Sequence, residues 1–323
     1  MKIDLKDRKI LLELDINSRQ SLQSIGKKVG LSKEVVNYRL NKLTESGIIS
    51  GFFTRIDTSK LEVLIFRTFI RTYNLTPEKE KDLIDFIVSN KKVGWCVKVD
   101  GNWNINFIYW ADNVTDFSKF WRKLLAKYGD FIESKETSIF DRYIQFPKTF
   151  ILPEQTPQEM PSFICGRNKA VEIDTKDEKI LSIIASNSRI NTLEISKKIG
   201  LTPRAIKQRI KKLKEKGIIL GYGISLGTRE LGLQYFKINM NFKRFDQKRF
   251  DEIIGFSKYH PNVIYTNELI GGADLELDVY AKNREELQNL LNEYRYKFSD
   301  LLKTTEILQY FEEFKHNLYP RKT

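Results

Sequence analysis

The chain is written twice. At an offset of 170 residues, DLKDRKIL (4–11) lies over DTKDEKIL (174–181), and NSRQSLQSIGKKVGL (17–31) over NSRINTLEISKKIGL (187–201). NYRLNKLTESGIISGF (37–52) then lies over KQRIKKLKEKGIILGY (207–222), and 22 of the 49 positions from 4 to 52 are identical without a gap. The frame continues: Phe66 falls on Phe236, Val93 on Val263 and Gly101 on Gly271. WNINFIY (103–109) falls on ADLELDV (273–279). A register kept this far implies duplication of a complete folding unit, and the period is too long for a solenoid. Two fused protomers fit best. Between them, residues 146–173 hold Pro147, Pro153, Pro157 and Pro161, four of the eight prolines. Such a segment resists helix and sheet and reads as a semi-stiff connector.

Each copy opens with a three-helix pattern. Asp4 and Asp174 are N-cap residues, with Asp7 and Asp177 three positions on. A second helix stops at Gly30 or Gly200, and a third starts at Ser32 or Thr202. Val36, Leu40 and Leu43 recur at i, i+4 and i+7, as do Ile206, Ile210 and Leu213, which makes one buried stripe. An Ile-Ile pair and an apolar hairpin-like segment follow, so the module reads as a winged helix-turn-helix. The period then changes to two. Phe236, Ile238, Met240 and Phe242 alternate with Lys237, Asn239, Asn241 and Lys243, which predicts a strand with one buried face. The order is βαββαβ in both copies, the split βαβ or ferredoxin-like arrangement. The fold class is therefore α+β. Helical modules are expected at 1–56 and 174–226, βαββαβ domains at 57–146 and 227–323, and the connector at 147–173.

Charge localises the partner. The 55 Lys and Arg exceed the 42 Asp and Glu by 13. Residues 2–52 carry ten basic and six acidic side chains, and residues 174–222 twelve and five, so eleven of the thirteen excess charges lie in the helical modules. Opposite the buried stripe, the third helix of copy two presents Arg204, Gln208, Lys211 and Glu215, with Lys212 beside them and Lys207 on the same expected surface. Copy one presents Glu34, Tyr38, Asn41 and Glu45, with Lys42 beside them and Lys33 and Asn37 on the same expected surface, a weaker charge. Arg, Gln and Lys on an exposed helix can reach base edges in a major groove while flanking cations sit on phosphates. Double-stranded DNA is the expected partner, with copy two supplying most of the affinity. Ser32 and Thr202 belong to the same expected surface. Arg39 and Arg209 flank the stripe, where each could clamp a phosphate or an acidic neighbour such as Asp7 or Asp177.

Other chemistry finds little material. Two cysteines, Cys96 and Cys165, make no disulfide framework or four-thiolate zinc site. No apolar run reaches the ~18 residues of a membrane span, and the N-terminus lacks an apolar h-region. A cytoplasmic setting without membrane contact is expected. Walker and dinucleotide glycine patterns are absent. His260 before Pro261 reads as a turn residue and His316 as solvated tail. No catalytic residue, metal or cofactor is expected, and the chain reads as a non-enzyme. The four tryptophans, at 95, 103, 110 and 121, all lie in the βαββαβ domain of copy one and read as core or interface filling.

A winged helix-turn-helix joined to a βαββαβ domain resembles the Lrp/AsnC, or feast/famine, transcription regulators. IDLKDRKILLEL, the KKVGLS and KKIGLT turns, Arg39 or Arg209 on the third helix, ESGII or EKGII, and GGAD (271–274) carry the resemblance. It covers both copies and looks like an archaeal tandem variant. It implies DNA binding by the helical modules and self-association of the βαββαβ (RAM-type) domains, whose sheets pair face to face, within one chain or between chains. It also implies an amino-acid-like effector at a loop formed by Gly271, Gly272, Ala273 and Asp274. Glycines there let the backbone approach a ligand, and a carboxylate can take an ammonium group. The matching residues of copy one are Gly101, Asn102, Trp103 and Asn104, a departure from the pattern. Tandem chains of this kind also resemble subunits of sirohaem decarboxylases of haem biosynthesis, which is the alternative reading.

Overall fold

The structure is a computed structural model that describes residues 3–152, 161–317 and 319. Helices α1 (Leu5–Ile16), α2 (Leu22–Val29) and α3 (Lys33–Glu45) form the first helical module, and α6 (Thr175–Ala185), α7 (Thr192–Ile199) and α8 (Pro203–Glu215) the second. Each closes on its own apolar core. Ile10, Leu14, Ile25, Val36, Leu40 and Leu43 fill the first, and Ile180, Ile184, Ile195, Ile206, Ile210 and Leu213 the second.

The strand after each module does not fold back on itself as the expected hairpin. β1 (Ile49–Ile56) pairs antiparallel with β7 (Ile219–Leu226) of the other copy. No two-residue turn signal interrupts either strand, so each takes its partner from the opposite copy. Gly223 sits beside Arg55 in this ribbon. A Cβ there would lie 2.5 Å from the Arg55 guanidinium, so the close approach requires glycine.

Copy one continues as β2 (Leu64–Thr72), α4 (Pro77–Ser89), β3 (Val93–Asp100), β4 (Ile105–Ala111), α5 (Val114–Tyr128) and β5 (Ile132–Gln145). Copy two continues as β8 (Gln234–Phe242), α9 (Gln247–Tyr259), β9 (Val263–Ile270), β10 (Leu275–Ala281), α10 (Arg284–Lys297) and β11 (Leu302–His316). Their sheets do not stack face to face as expected. They join edge to edge in the order β2-β4-β3-β11-β8-β10-β9-β5, and β5 also pairs with β2, so the eight strands close into a barrel. The long last strands make the joints. β5 pairs with β2 along Ile132–Ile139 and with β9 along Ile139–Gln145, bending at a bulge between Phe140 and Arg142. β11 pairs likewise with β8 and then β3, with a bulge between Tyr310 and Glu312. Closure leaves neither sheet an unpaired edge in the barrel.

Alternation puts one side of each strand under the helices. Phe66, Ile70, Ile105 and Phe107 pack on Leu83, Ile87, Phe117 and Leu124. Ile238, Met240, Leu275 and Leu277 pack on Ile253, Leu287 and Leu291. The other side faces the barrel's interior. Part of the connector is built into the molecule: Thr149–Ile151 is a 3-10 turn whose Ile151 enters the first helical core, and β6 (Phe163–Gly166) pairs with β5. Pro153 and Pro157 lie outside the described residues. Among the described residues no helix is long and apolar enough to cross a membrane.

Candidate nucleic-acid interface and barrel cavity

Helix α8 exposes its cationic face. Its stripe of Ile206, Ile210 and Leu213 is buried, while Arg204, Lys207, Gln208, Lys211 and Lys212 are exposed. Pro203 occupies the first turn, and the Thr202 hydroxyl accepts the Ala205 N–H at 3.2 Å, so the helix start is fixed. Lys211 meets Glu215, at 3.6 Å on the same exposed face. In α3 the Ser32 hydroxyl accepts the Val35 N–H at 3.3 Å, and Lys33, Asn37, Tyr38, Asn41 and Lys42 are exposed. Tyr38 is 65% exposed, an aromatic left on the surface where the core could have taken it.

Arg39 and Arg209 depart from the expected DNA-contacting set. Arg39 Nη1 lies 2.8 Å from both Asp4 and Asp7, and Arg209 Nη1 lies 2.7 Å from Asp174 and Asp177. Of the two partners open to them, the structure gives them the acidic start of the first helix. The backbone N–H of Asp7 and then Arg39 hold the Asp4 carboxyl below its ordinary value, and the Asp177 N–H and Arg209 do the same for Asp174. These pairs tie the third helix to the first.

The 271–274 loop is a tight β9–β10 connection against β5 of copy one. Gly271 and Gly272 have φ of +84° and +73°, and a Cβ on Gly272 would meet Glu136 at 2.8 Å. Ala273 is buried, and Asp274 Oδ2 accepts the Phe242 N–H at 2.7 Å. Asn104 Oδ1 accepts the equivalent Thr72 N–H, also at 2.7 Å. The Asp-to-Asn departure therefore preserves one backbone cap, and the glycines are accounted for by strand packing.

The barrel interior holds charges that sequence reasoning missed. Lys237, expected on a solvent face, is fully buried. Its Nζ lies 2.9 Å from Glu276 and 3.0 Å from Asp278, and Arg67 also pairs with Glu276. The Tyr235 hydroxyl donates to Asp278 at 2.9 Å, and Asn267 Nδ2 donates to the same carboxylate at 2.6 Å. Burial alone would raise the Asp278 pKa, but Lys237 and Arg67 outweigh it and hold it below the ordinary carboxylate value. Among the described residues Arg67 Nε is buried with no hydrogen-bond partner. The signal available was the polar half of the strand alternation, which marks a second face without saying what covers it.

Above this cluster opens a cavity of about 630 Å³, roofed by the β1–β7 ribbon at Phe53, Ile224 and Leu226. Trp95 and Trp110 of copy one and Tyr265 and Tyr280 of copy two line it, so two of the four tryptophans face a cavity. Trp103 instead stands against Phe69, and Trp121 against Phe117. Lys148 reaches the cavity from beneath the ribbon, where its Nζ meets the buried Asp15 at 2.7 Å and Arg55 lies 3.5 Å from the same carboxylate. Burial lowers the Lys148 pKa against the opposing pull of Asp15. His316 is exposed, as expected, but ends β11 at the cavity rim, 3.5 Å from Glu313. His260 caps its turn, with Nδ1 accepting the Asn262 N–H at 3.2 Å.

A family model described as winged helix-turn-helix DNA-binding matches residues 3–50 and 173–219. The chain is similar to the HTH-type transcriptional regulator FL11 of Pyrococcus horikoshii, 29% identical over 122 residues, 38% of this chain and 80% of that protein. It is 30% identical to the proline dehydrogenase transcriptional activator of Rhodobacter capsulatus over 124 residues, 38% of this chain and 79% of that protein. The HTH-type transcriptional regulator LrpB of Bacillus subtilis is 29% identical over 123 residues, 38% of this chain and 81% of that protein. Among solved structures, the siroheme decarboxylase NirDL superposes with a TM-score of 0.66 over 98% of this chain and 94% of that one, at 13% identity. The reading of the chain as a non-enzyme is corrected by that match: an enzyme's fold spans nearly the whole molecule, so the architecture gives no ground for excluding catalysis.

Proposed function

The chain belongs to the Lrp/AsnC family of helix-turn-helix transcriptional regulators, and from that premise we propose that it is a sequence-specific DNA-binding regulator reading duplex DNA as a single-chain pseudo-dimer. The observation that carries this reading is the exposed face of α8, with Arg204, Lys207, Gln208, Lys211 and Lys212 clear of the core. Because α3 and α8 differ on that face, the favoured site is asymmetric rather than a strict palindrome. Affinity falls steeply with salt, since each bound cation displaces counterions from the duplex. The test is the triple variant Arg204→Ala, Lys207→Ala, Lys211→Ala on duplex enriched from genomic fragments. The slope of log affinity against log salt should become shallower by about 2–3 if each side chain holds one phosphate. A triple variant that shifts duplex as wild type does removes α8 as the main reader.

A second reading is favoured by the cavity. NirDL is a siroheme decarboxylase, also solved with an iron-uroporphyrin III analogue. In this chain Arg67 and Lys148 offer cations to carboxylates, the paired Trp and Tyr walls offer flat surfaces, and His316 stands at the rim. About 630 Å³ lies within the ~300–1,000 Å³ of ordinary ligand sites. Adding iron uroporphyrin and following its visible band tests this reading. A shift that Arg67→Gln weakens supports it, and an unchanged spectrum removes it.

A further inference from the structure

The repeated NSR triplet, at 17–19 and 187–189, meets itself across the pseudo-two-fold axis between the helical modules. Ser18 and Ser188 touch hydroxyl to hydroxyl at 2.7 Å, buried. The Ser188 N–H donates to the Phe52 carbonyl at 3.0 Å, and the Ser18 N–H reaches the equivalent Tyr222 carbonyl at 3.4 Å. The adjoining arginines lie over equivalent rings. Arg189 Cζ is 5.6 Å from the centre of Phe52, and Arg19 Cζ is 5.4 Å from that of Tyr222. Copy two then adds a third cation: Lys214 Nζ is 4.6 Å from the same Tyr222 ring, where copy one has Thr44.

No carboxylate among the described residues pairs with Arg19, Arg189 or Lys214, although Arg189 Nη1 donates to the Ser18 and Gln20 carbonyls, and other cations of the helical modules, including Lys28, Arg39 and Arg209, have a carboxylate partner. Among the described residues Arg19 Nη1 is buried with no hydrogen-bond partner, and so is the hydroxyl of Tyr222, itself only 3% exposed. Burial and the charge of Arg19 lower the pKa of both Arg189 and Lys214. Like charges are thus held together beside two unused donors, an arrangement that an oxyanion would satisfy.

We propose that this seam is an oxyanion site of the phosphate class, formed by Arg19, Arg189 and Lys214 around the Tyr222 hydroxyl. The phosphate can belong to a duplex backbone spanning the two modules or to a free anion. Only the first source rests on the DNA-binding reading.

Inorganic phosphate separates the possibilities. In full-length protein at matched ionic strength, phosphate should raise the melting temperature above that in chloride, because an anion that binds only the folded state stabilises it. Tyr222→Phe, which installs the ring already present at Phe52, should reduce the phosphate-specific rise. Arg19→Gln should abolish it, and Arg19→Lys should restore part. The same variants then enter the duplex assay. A salt slope shallower by about 1 in Arg19→Gln assigns the site to backbone phosphate, whereas an unchanged slope with a lost thermal shift assigns it to a free anion. Should wild-type protein bind no duplex, the thermal arm alone decides. The proposal is overturned if wild type shows no phosphate-specific rise and Arg19→Gln leaves the salt slope unchanged.

Discussion

Under its helices the barrel is nearly symmetric, and inside it is not. Phe66 and Phe236, Val93 and Val263, and Tyr128 and Phe298 are equivalent, and all are buried. In the interior, Asn106 stands where copy two has Glu276, and Ile108 where it has Asp278. Trp95 and Trp110 stand where it has Tyr265 and Tyr280. The outer wall must match helices in both copies, so its shape is held. The inner wall meets the opposite copy as well as its own strands, so a change in one half can be compensated by the other. Arg67 of copy one pairs with Glu276 of copy two across that boundary. The barrel has become one interior with unlike sides, which a homodimer of either half could not reproduce.

The largest effect should come from breaking that compensation. Lys237→Met leaves Glu276 and Asp278 with Arg67 as their remaining cation. Loss of one partner from a buried charge group costs about 3–5 kcal/mol, because the uncompensated charge stays desolvated. Adding Asp278→Ile, the residue of copy one, restores neutrality around the Arg67–Glu276 pair and should recover most of the loss. Urea unfolding measures both, and a cost below about 1 kcal/mol for the single variant would show that the interior charges do not depend on each other. Acid provides a second readout. Asp278 titrates below its unfolded value, so its contribution is complete above about pH 4 and is lost as pH falls through the depressed folded value. Buried Asp15 has the same sign: burial raises its pKa, but Lys148 and Arg55 together bring it below the ordinary value. The double variant should therefore lose stability less steeply in acid than wild type while keeping the share of Asp15.

What could be read without coordinates was whatever repeats locally. The i, i+4, i+7 stripe on the third helix and the period of two in the strands carry their own spacing, so helical modules, βαββαβ order and the outward residues of α8 follow from them. What could not be read depends on partners far apart in the chain. Lys237 alternates with buried residues as a solvent-facing residue would, and only the joining of β5 to β9 and β11 to β3 encloses it. Asp15 and Lys148 are separated by 133 residues, and neither has a local pattern that announces the other. The choice between phosphate and carboxylate for Arg39 and Arg209 turned on where the start of α1 lies, which helix periodicity does not give. His316 is exposed as expected, but it belongs to β11 and not to a tail beyond it, because β11 runs further than its alternation suggested, as far as Trp95 on β3.

The smallest effects sharpen the comparison at the loops, where the two copies look least alike and act most alike. Asn104 Oδ1 and Asp274 Oδ2 accept equivalent N–H groups at the same distance, 2.7 Å. If that bond is what the position provides, an oxygen is needed and a charge is not. Asp274→Asn and Asn104→Asp should each change stability by less than about 0.5 kcal/mol, since the acceptor survives at an exposed Asp274 and a half-buried Asn104. Asp274→Ala and Asn104→Ala should each cost about 1 kcal/mol by leaving the strand N–H without its acceptor. The same four proteins, titrated calorimetrically with the common amino acids, separate a cap from a ligand-binding carboxylate. Heat seen with wild type and lost in Asp274→Asn, with stability unchanged, would assign the charge to an ammonium group and make the two loops functionally distinct. Equal behaviour of the Asn and Asp forms in both loops would leave them as one structural device, kept through the duplication by its hydrogen bond.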